Sequence, residues 1–352
     1  MIPDATSLLK RMIAIPSPSR DEGGTAALLA EALARRGITG VTRMGNNVIA
    51  RSSAWTVGRP TLLLNSHHDT VRPAASYTRN PYEAVIDGGR LYGLGSNDAG
   101  ASVVSLIEVF AGFCDADLPV NLLLVLSAEE EVTGLGGIRA VLPELDRIDM
   151  GIVGEPTGMD VAIGERGLVV LDGEARGRSG HAARDEGVNA LYLALDDIAR
   201  LRALSLPEVS PTLGPVKITV TQIEAGTQHN VVPDRCRFVV DTRTTDAYTN
   251  EQTVDLLRAA VVNSTLTPRS THISASAIDV SHPLVRAAVA AGAKPFVSPT
   301  TSDMSQMRFP AIKIGPGQSA RSHSADEYVE IDEIRHAIST YQQIIHHICK
   351  SL

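Results

Sequence analysis

The chain has 352 residues, 43% of them hydrophobic and 20% charged, enough for one large domain or two ordinary ones with a packed core. A formal net charge of −8 excludes the basic footprint of a nucleic-acid or acidic-membrane binder, and three scattered cysteines, Cys114, Cys236 and Cys349, exclude a disulfide framework or a thiolate zinc knuckle. No N-terminal apolar run suits a signal peptide or membrane span, so a cytoplasmic location, with neither membrane nor nucleic acid as partner, is the expectation.

In chain order, "TSLLKRMIAI" carries apolar residues at helical spacing behind an Asp4 or Thr6 cap, and "EGGTAALLAEALARRG" reads as a second helix stopped by Gly37. "VTRMGNNVIARS" reads as two strands around a Gly-Asn turn. "TLLLN" (61–65) is an unbroken apolar run, as in a strand buried on both faces. A helix in "NDAGASVVSLIEVFAGF", a strand in "VNLLLVLSA", a helix in "GGIRAVLPEL" and a strand in "MGIVGEP" follow, and this alternation implies a mixed, mostly parallel α/β sheet flanked by helices. From about 167 to 277 the order becomes strand, helix, strand, strand, helix, strand, in "GLVVLDGEARG", "GVNALYLALDDIARLRAL", "PVKITVTQIEA", "RCRFVVDTRTT", "NEQTVDLLRAAVVNS" and "RSTHISASAI". That is the ferredoxin-like order, with alternating strands suited to an antiparallel sheet covered on one face. The expected organisation is therefore a first domain in two parts, 1–166 and 278–352, with an inserted α+β domain at 167–277; "PAIKIG" and a final helix from about Ile331 belong to the second part.

Ligand-type side chains collect at the strand ends. His67 and Asp69 end the run 61–65, Glu129, Glu130 and Glu131 end 120–128, Glu155 follows 150–154, and His323 lies in "GPGQSARSHSADEYVE" after 310–315. Asp98, in "LYGLGSNDAGA", opens a helix between two of these strands. The carboxyl ends of strands border the ligand crevice in open α/β sheets, so these residues converge on one rim. Three successive glutamates repel one another unless a divalent cation is near, and imidazole mixed with carboxylate suits zinc, with cobalt or manganese as alternatives. Asp69 is spaced to bond the far ring nitrogen of His67, while His68 points the other way, to the second layer or the pocket wall. His272, His282, His336, His346 and His347 lack acidic neighbours at useful spacing and read as structural or surface residues. "GLGSND" departs from GxGxxG at Asp98, which argues against a dinucleotide loop.

"SHHDTV", "YGLGSNDAGA", "SAEEEVTGLGG", "VGEPT", "GRSGHAARDEGVNAL", "TQHNVVPDRCRFVVDTRT" and "SHSADEYVEI" occur in this order along nearly the whole chain. The set resembles the zinc-dependent acylase and carboxypeptidase family that includes acetylornithine deacetylase, succinyl-diaminopimelate desuccinylase, aminoacylase and glutamate carboxypeptidase. The resemblance implies two zinc ions bridged by Asp98, one completed by His67 and Glu155 and the other by Glu131 and His323. It implies Glu130 as general base, Glu129 and Asp69 in support, and a cis peptide between Asp98 and Ala99. In the inserted domain it implies that His181 stabilises an oxyanion, typically in the partner subunit's site, and that Asn230 and Arg243 face the substrate. Backbone donors from the "GPGQS" loop, Gly315 and Gly317, would join Arg243 on a carboxylate. The inserted domain would serve as lid and homodimer contact.

The expected activity is hydrolysis of a small N-acyl amino acid, of the N-acetylornithine or N-acetylcitrulline type in arginine biosynthesis, since "SHHDTV" with "SNDAGA" is most similar to that branch. Succinyl-diaminopimelate desuccinylase, acetyl-lysine deacetylase and a dipeptidase or carboxypeptidase are the alternatives within the family. The usual Lys-Gly pair after the bridging aspartate is replaced by Gly100 and Ala101. A non-haem iron site using His67, Asp69 and His323 is a rival, but it normally sits on an all-β fold and leaves the glutamates unused. A non-catalytic binding homologue is a second rival, opposed by the complete set of ligand-type residues.

Overall fold

Unbroken apolar runs become the central strands of a helix-flanked sheet. The computed structural model describes residues 2–184 and 186–351, and the chain divides into two units, Met1–Gly164 with Ile278–Ser298 and Ser302–Leu352, and Glu165–Ala277 with Pro299–Thr301. The first unit opens with α1 (Ile2–Ile13), α2 (Gly23–Arg35), β1 (Thr42–Met44), β2 (Asn47–Arg51), β3 (Thr61–His67), β4 (Val85–Asp87), β5 (Arg90–Tyr92), α3 (Ala101–Phe113), β6 (Asn121–Ser127), α4 (Ile138–Val141), β7 (Met150–Val153) and β8 (Val161–Glu165). The second unit contributes β9 (Gly167–Arg176), α5 (Ala190–Ala203), β10 (Lys217–Ala225), β11 (Arg235–Thr244), α6 (Asn250–Ala260), β12 (Ser264–Pro268) and the two-residue β13 (Ser276–Ala277). The chain ends in α7 (Pro283–Ala290), β14 (Pro295–Ser298), β15 (Ala311–Lys313), β16 (Tyr328–Glu330) and α8 (Ile331–Ser351).

In the first unit the sheet runs β1-β2-β6-β3-β7-β15-β8, with β14 also on β8. β3 lies parallel to both β6 and β7, and β15 is parallel to β7, so four strands end at the same rim. Side chains alternate across β3, and both faces are covered. Leu62 and Leu64 join a core with Phe110, Ile107 and Tyr341, whereas Leu63 packs with Val125, Val153 and Met304 on the other face. A small sheet β16-β5-β4 lies apart; its three-residue strands carry too little periodicity to be read from sequence.

The second unit is a four-stranded antiparallel sheet, β10-β11-β9-β12, in the β-α-β-β-α-β order. Val169, Leu171, Phe238 and Val240 of the sheet pack with Leu201 of α5 and Val254 and Leu257 of α6. One expected strand differs: β12 is Ser264–Pro268, not "RSTHISASAI", in which only Ser276–Ala277 is a strand. The chain turns back at Val262 and Asn263, whose N–H groups donate to the Asp197 carboxylate of α5 at 2.9 and 2.8 Å, so pairing with β9 starts at once. The expected helix in "GGIRAVLPEL" is a single turn, α4, followed by a 3-10 turn containing Pro143. Among the described residues no helix is long and apolar enough to cross a membrane.

Burial alone would raise the Asp197 carboxyl, but the N–H groups of Val262 and Asn263 and the Arg200 guanidinium outweigh it and hold it below the usual carboxylate range. That contribution is present above the unfolded-state value of about 3.9 and is lost as pH falls through the lowered folded value. Asp197→Asn should therefore destabilise the chain by about 1–3 kcal/mol at neutral pH, and by less under strongly acid conditions. Urea unfolding of wild type and variant at both pH values checks this; equal losses at the two would contradict it.

Candidate metal centre

The rim brings together the acidic and imidazole residues singled out in the sequence. His67 ends β3 beside Ser127 of β6, Glu130 and Glu131 lie just past β6, Glu155 lies two residues past β7, and Asp98 precedes α3. His67 Nδ1 lies 3.1 Å from the carbonyl oxygen of Asp69, which can only accept, so Nδ1 carries the hydrogen. The other nitrogen, Nε2, faces carboxylates: Asp98 Oδ1 at 3.2 Å, Glu155 Oε1 at 3.7 Å and Glu130 Oε2 at 3.9 Å. The second oxygen of Asp98 faces His323, with Oδ2 to Nε2 at 3.7 Å, and His323 Nε2 is 2.8 Å from Glu131 Oε2. Asp98 thus turns one oxygen towards each of two imidazoles. Its peptide bond to Ala99 is cis.

These groups demand positive charge. Burial lowers the His67 imidazole, but Glu130 and Glu155 outweigh it and raise it well above the ordinary histidine value. Burial raises Glu130 well above the ordinary carboxyl range despite His67, and neighbouring carboxylates add to the effect. Glu131 is raised by burial, and Glu155 is pushed up to about 8 chiefly by burial. Asp98 alone of the four falls below its usual range, because its bond and charge interaction with His67 overcome burial. A lone pair on Nε2 pointed at three carboxylates is unfavourable unless a proton or a cation stands between them, and a divalent cation meets that demand for all of them together. Ligand atoms of His67, Asp98 and Glu131 lie within 4.8 Å of one another, as do those of His67, Glu130 and Glu155. The donor set therefore fits divalent ions, with oxygen and imidazole ligands in zinc's range.

A supporting layer holds the rim, and most of it was not apparent in the sequence. The Asp69 carboxylate accepts the N–H groups of Glu130 and Glu131 at 3.1 and 3.2 Å and the Ser19 hydroxyl at 2.7 Å; it is 3.4 Å from His67 Nδ1, farther than its own carbonyl. Buried Glu22 accepts the Glu129 N–H at 3.1 Å and Asn46 Nδ2 at 2.8 Å. Glu129 turns away from the rim: its carboxylate accepts the Gly136 N–H inside the loop 133–137. His68 is a buried strut, bonded at Nδ1 to Thr25 Oγ1 and at Nε2 to the Asn46 carbonyl. Asp303 is buried and accepts the Ser127 hydroxyl at 2.5 Å, and Ser302 caps the 3-10 turn that Asp303 begins. Buried Lys313 on β15 opposes the rise at Glu155. Gly315 donates its N–H to Thr157 Oγ1 at 3.0 Å, and Gly317, at φ +85°, packs against Asn97 Oδ1.

In the second unit His181 Nδ1 accepts the Ala183 N–H at 3.1 Å, which leaves Nε2 as the protonated, donating nitrogen of the neutral ring. The Asn230 carbonyl accepts the Ala182 N–H at 3.0 Å, so these two loops run side by side. Arg243 presents a two-pronged guanidinium, engaged by Asp241 at 2.9 and 3.2 Å.

Comparison with known proteins agrees with this architecture. Residues 63–347 match the model of peptidase family M20/M25/M40. Succinyl-diaminopimelate desuccinylase of Paracoccus denitrificans is 30% identical, over 98% of each chain. Further proteins of that name are 27–29% identical, and acetylornithine deacetylase of Myxococcus xanthus is 27% identical over 86% of this chain and 84% of its own. A tripeptidase of Staphylococcus aureus superposes with a TM-score of 0.77 at 20% identity, covering 99% of both chains.

The loop after the glutamates can be tested by adding one methyl group. A Cβ at Gly134 would sit 1.9 Å from Glu129 Oε2 and 2.6 Å from its Cβ, whereas one at Gly112, inside α3, meets nothing within 4 Å. Gly134→Ala should cost about 1–3 kcal/mol, and Gly112→Ala should gain roughly 0.5–1 kcal/mol from helix propensity. Thermal unfolding of the two variants should move in opposite directions.

Proposed function

The chain belongs to peptidase family M20/M25/M40, and we propose that it is a cytoplasmic, metal-dependent hydrolase that cleaves the amide of an N-acyl amino acid. The observation that carries this reading is Asp98, whose two carboxylate oxygens face His67 and His323 in turn within a cluster of glutamates. His67, Asp98 and Glu155 would hold one ion, and Asp98, Glu131 and His323 the other; zinc is the first choice, with cobalt and manganese as alternatives. Such a pair, when bound, supplies Lewis acidity to the acyl carbonyl and makes hydroxide available near neutral pH.

The remaining steps belong to side chains of this chain. Glu130 takes a proton from the attacking water as its oxygen bonds to the acyl carbon, and returns that proton to the amine nitrogen as the C–N bond breaks. The products are a carboxylate and a free amine. His181 donates from Nε2 to the tetrahedral oxyanion, and Arg243, whose Nε and Nη2 are held by Asp241, offers Nη1 to the substrate's carboxylate, with Asn230 and the loop of Gly315 and Gly317 beside it. The second unit serves as lid and as the contact of a two-fold dimer, in which His181 reaches the neighbouring subunit's site.

For the acyl group and amino acid, the succinyl-diaminopimelate type takes first place, because relatives of that name match over nearly their whole lengths. N-acetylornithine or N-acetylcitrulline is the second reading; the Myxococcus relative and the motifs "SHHDTV" and "SNDAGA" favour it.

Glu130→Ala should keep both zinc ions and abolish turnover, a combination read by metal analysis alongside an amide-hydrolysis assay. Because Glu130 also lies within ligand distance of His67 and Glu155, loss of an ion with residual turnover would make it a ligand instead. The zinc-loaded chain, assayed on succinyl-diaminopimelate, acetylornithine and acetylcitrulline, should show its highest kcat/KM on the first. Faster acetylornithine cleavage would select the second reading, and hydrolysis of none would reject the proposal.

A further inference from the structure

Glu327 is buried, four residues beyond His323, and belongs to none of the ligand sets. No cation pairs with its side chain in the hydrogen bonds described; backbone does. Oε1 accepts the N–H groups of Asn97 and Asp98 at 2.8 and 2.9 Å, and Oε2 accepts that of Gly95 at 2.9 Å. Its own carbonyl accepts the Gly93 N–H at 3.0 Å. Gly93 and Gly95 both have positive φ, at 147° and 73°, a conformation that lets successive N–H groups converge on one anion. On the opposite side, Asn97 donates to the Gln318 carbonyl at 3.2 Å and to Ser322 Oγ at 3.4 Å, and accepts the Gln318 N–H at 2.9 Å. The segment carrying Asp98 is therefore tied on both sides to the segment carrying His323.

We propose that Glu327 is the positioning residue of the Asp98 segment: by accepting three N–H groups it fixes the carboxylate of Asp98 between His67 and His323. The inference rests on the metal-centre reading above. It gives the buried acid at 327 a task of its own beside a rim that already holds an excess of acid. Burial and the Asp98 charge push this carboxyl up to about 8, and the three N–H groups oppose that rise by favouring the ionised form, whose two oxygens only accept. A carboxamide cannot match this: if its oxygen serves Asn97 and Asp98, its NH2 meets the Gly95 N–H. Glu327→Gln keeps the size of the side chain and breaks this pattern.

Neighbouring Asp326 provides a matched control. Its carboxylate accepts the N–H groups of Thr78 and Arg79 at 3.0 and 2.9 Å and the Thr78 hydroxyl, in a loop that carries no rim residue. Asp326→Asn disturbs as many bonds without touching the Asp98 segment.

The experiment is a zinc titration of the full chain, wild type, Glu327→Gln and Asp326→Asn, in competition with a chelating dye. Wild type and Asp326→Asn should bind zinc alike, and Glu327→Gln should bind about 10–100-fold more weakly. Unchanged zinc affinity in Glu327→Gln, or an equal loss in Asp326→Asn, overturns the proposal. Amide hydrogen exchange of wild type provides a second measurement should Glu327→Gln fail to fold. The amides of Gly95, Asn97 and Asp98 should be strongly protected, and exchange as fast as at the exposed Val57 and Gly58 overturns the proposal. A wild-type chain that takes up no zinc refutes the metal centre itself, which is a separate outcome from normal wild-type binding with an unaffected Glu327→Gln.

Discussion

Two like charges 4 Å apart repel by about 1 kcal/mol in water and about 4 kcal/mol at the effective polarity near a protein surface. The first unit holds Asp98, Glu130, Glu131 and Glu155 around one imidazole, with Asp69, Asp303 and Glu327 close behind. Burial raises the cost of every charge in the set, which is why three of the four inner carboxyls sit above their ordinary range. A fold that collects so much acid in one place has to supply compensating positive charge and fixed donors, and the local structure of the rim can be understood as the means of doing so.

Parallel strand ends do the first part. Because β3, β6, β7 and β15 run in one direction, the residues that follow them emerge at one edge without any long-range loop having to reach across. Backbone N–H groups do the second. Asp69 accepts from Glu130 and Glu131, Glu22 from Glu129, and Glu327 from Gly95, Asn97 and Asp98. In each case a buried carboxylate grips the backbone of a segment whose side chains face the rim. Peptide dipoles oppose the cost of that burial to different extents: Asp69, with His67 and Ser19 also bonded to it, is held below its usual range, whereas burial and the Asp98 charge still push Glu327 up to about 8.

This division explains what could be read from the chain. The rim residues were legible because each breaks the pattern of an apolar strand at a predictable place: "LLLNSHHD" ends in imidazole and acid where turn residues are ordinary, and "LLLVLSAEEE" places three like charges in a row. The supporting acids gave no such signal. Glu22 and Glu327 lie in polar stretches, and the amides of the rim segments that they hold are more than 100 and more than 200 residues away in sequence, where no side chain reveals the pairing. Asp303 gave no such signal either: its hydroxyl partner, Ser127, lies at the end of β6, 176 residues away in sequence. The misplaced strand has the same origin: alternation in 269–278 mimicked a strand, whereas β12 was set by the turn that Asp197 anchors.

The two halves of the rim also differ in access. The side chain of His67 is 1% exposed and that of His323 is 55% exposed, although both face the same Asp98 carboxylate. Ser19, Thr25 and Asn46 surround the His67 side through Asp69 and His68, so that half is fixed by many directions at once. His323, at φ 57°, comes from a loop and meets solvent. His323 therefore borders the open side of the centre, while the ties behind His67 set its geometry. In the proposed reaction the rim groups act on the amide itself, so discrimination between a succinyl and an acetyl substrate falls to groups beyond the rim.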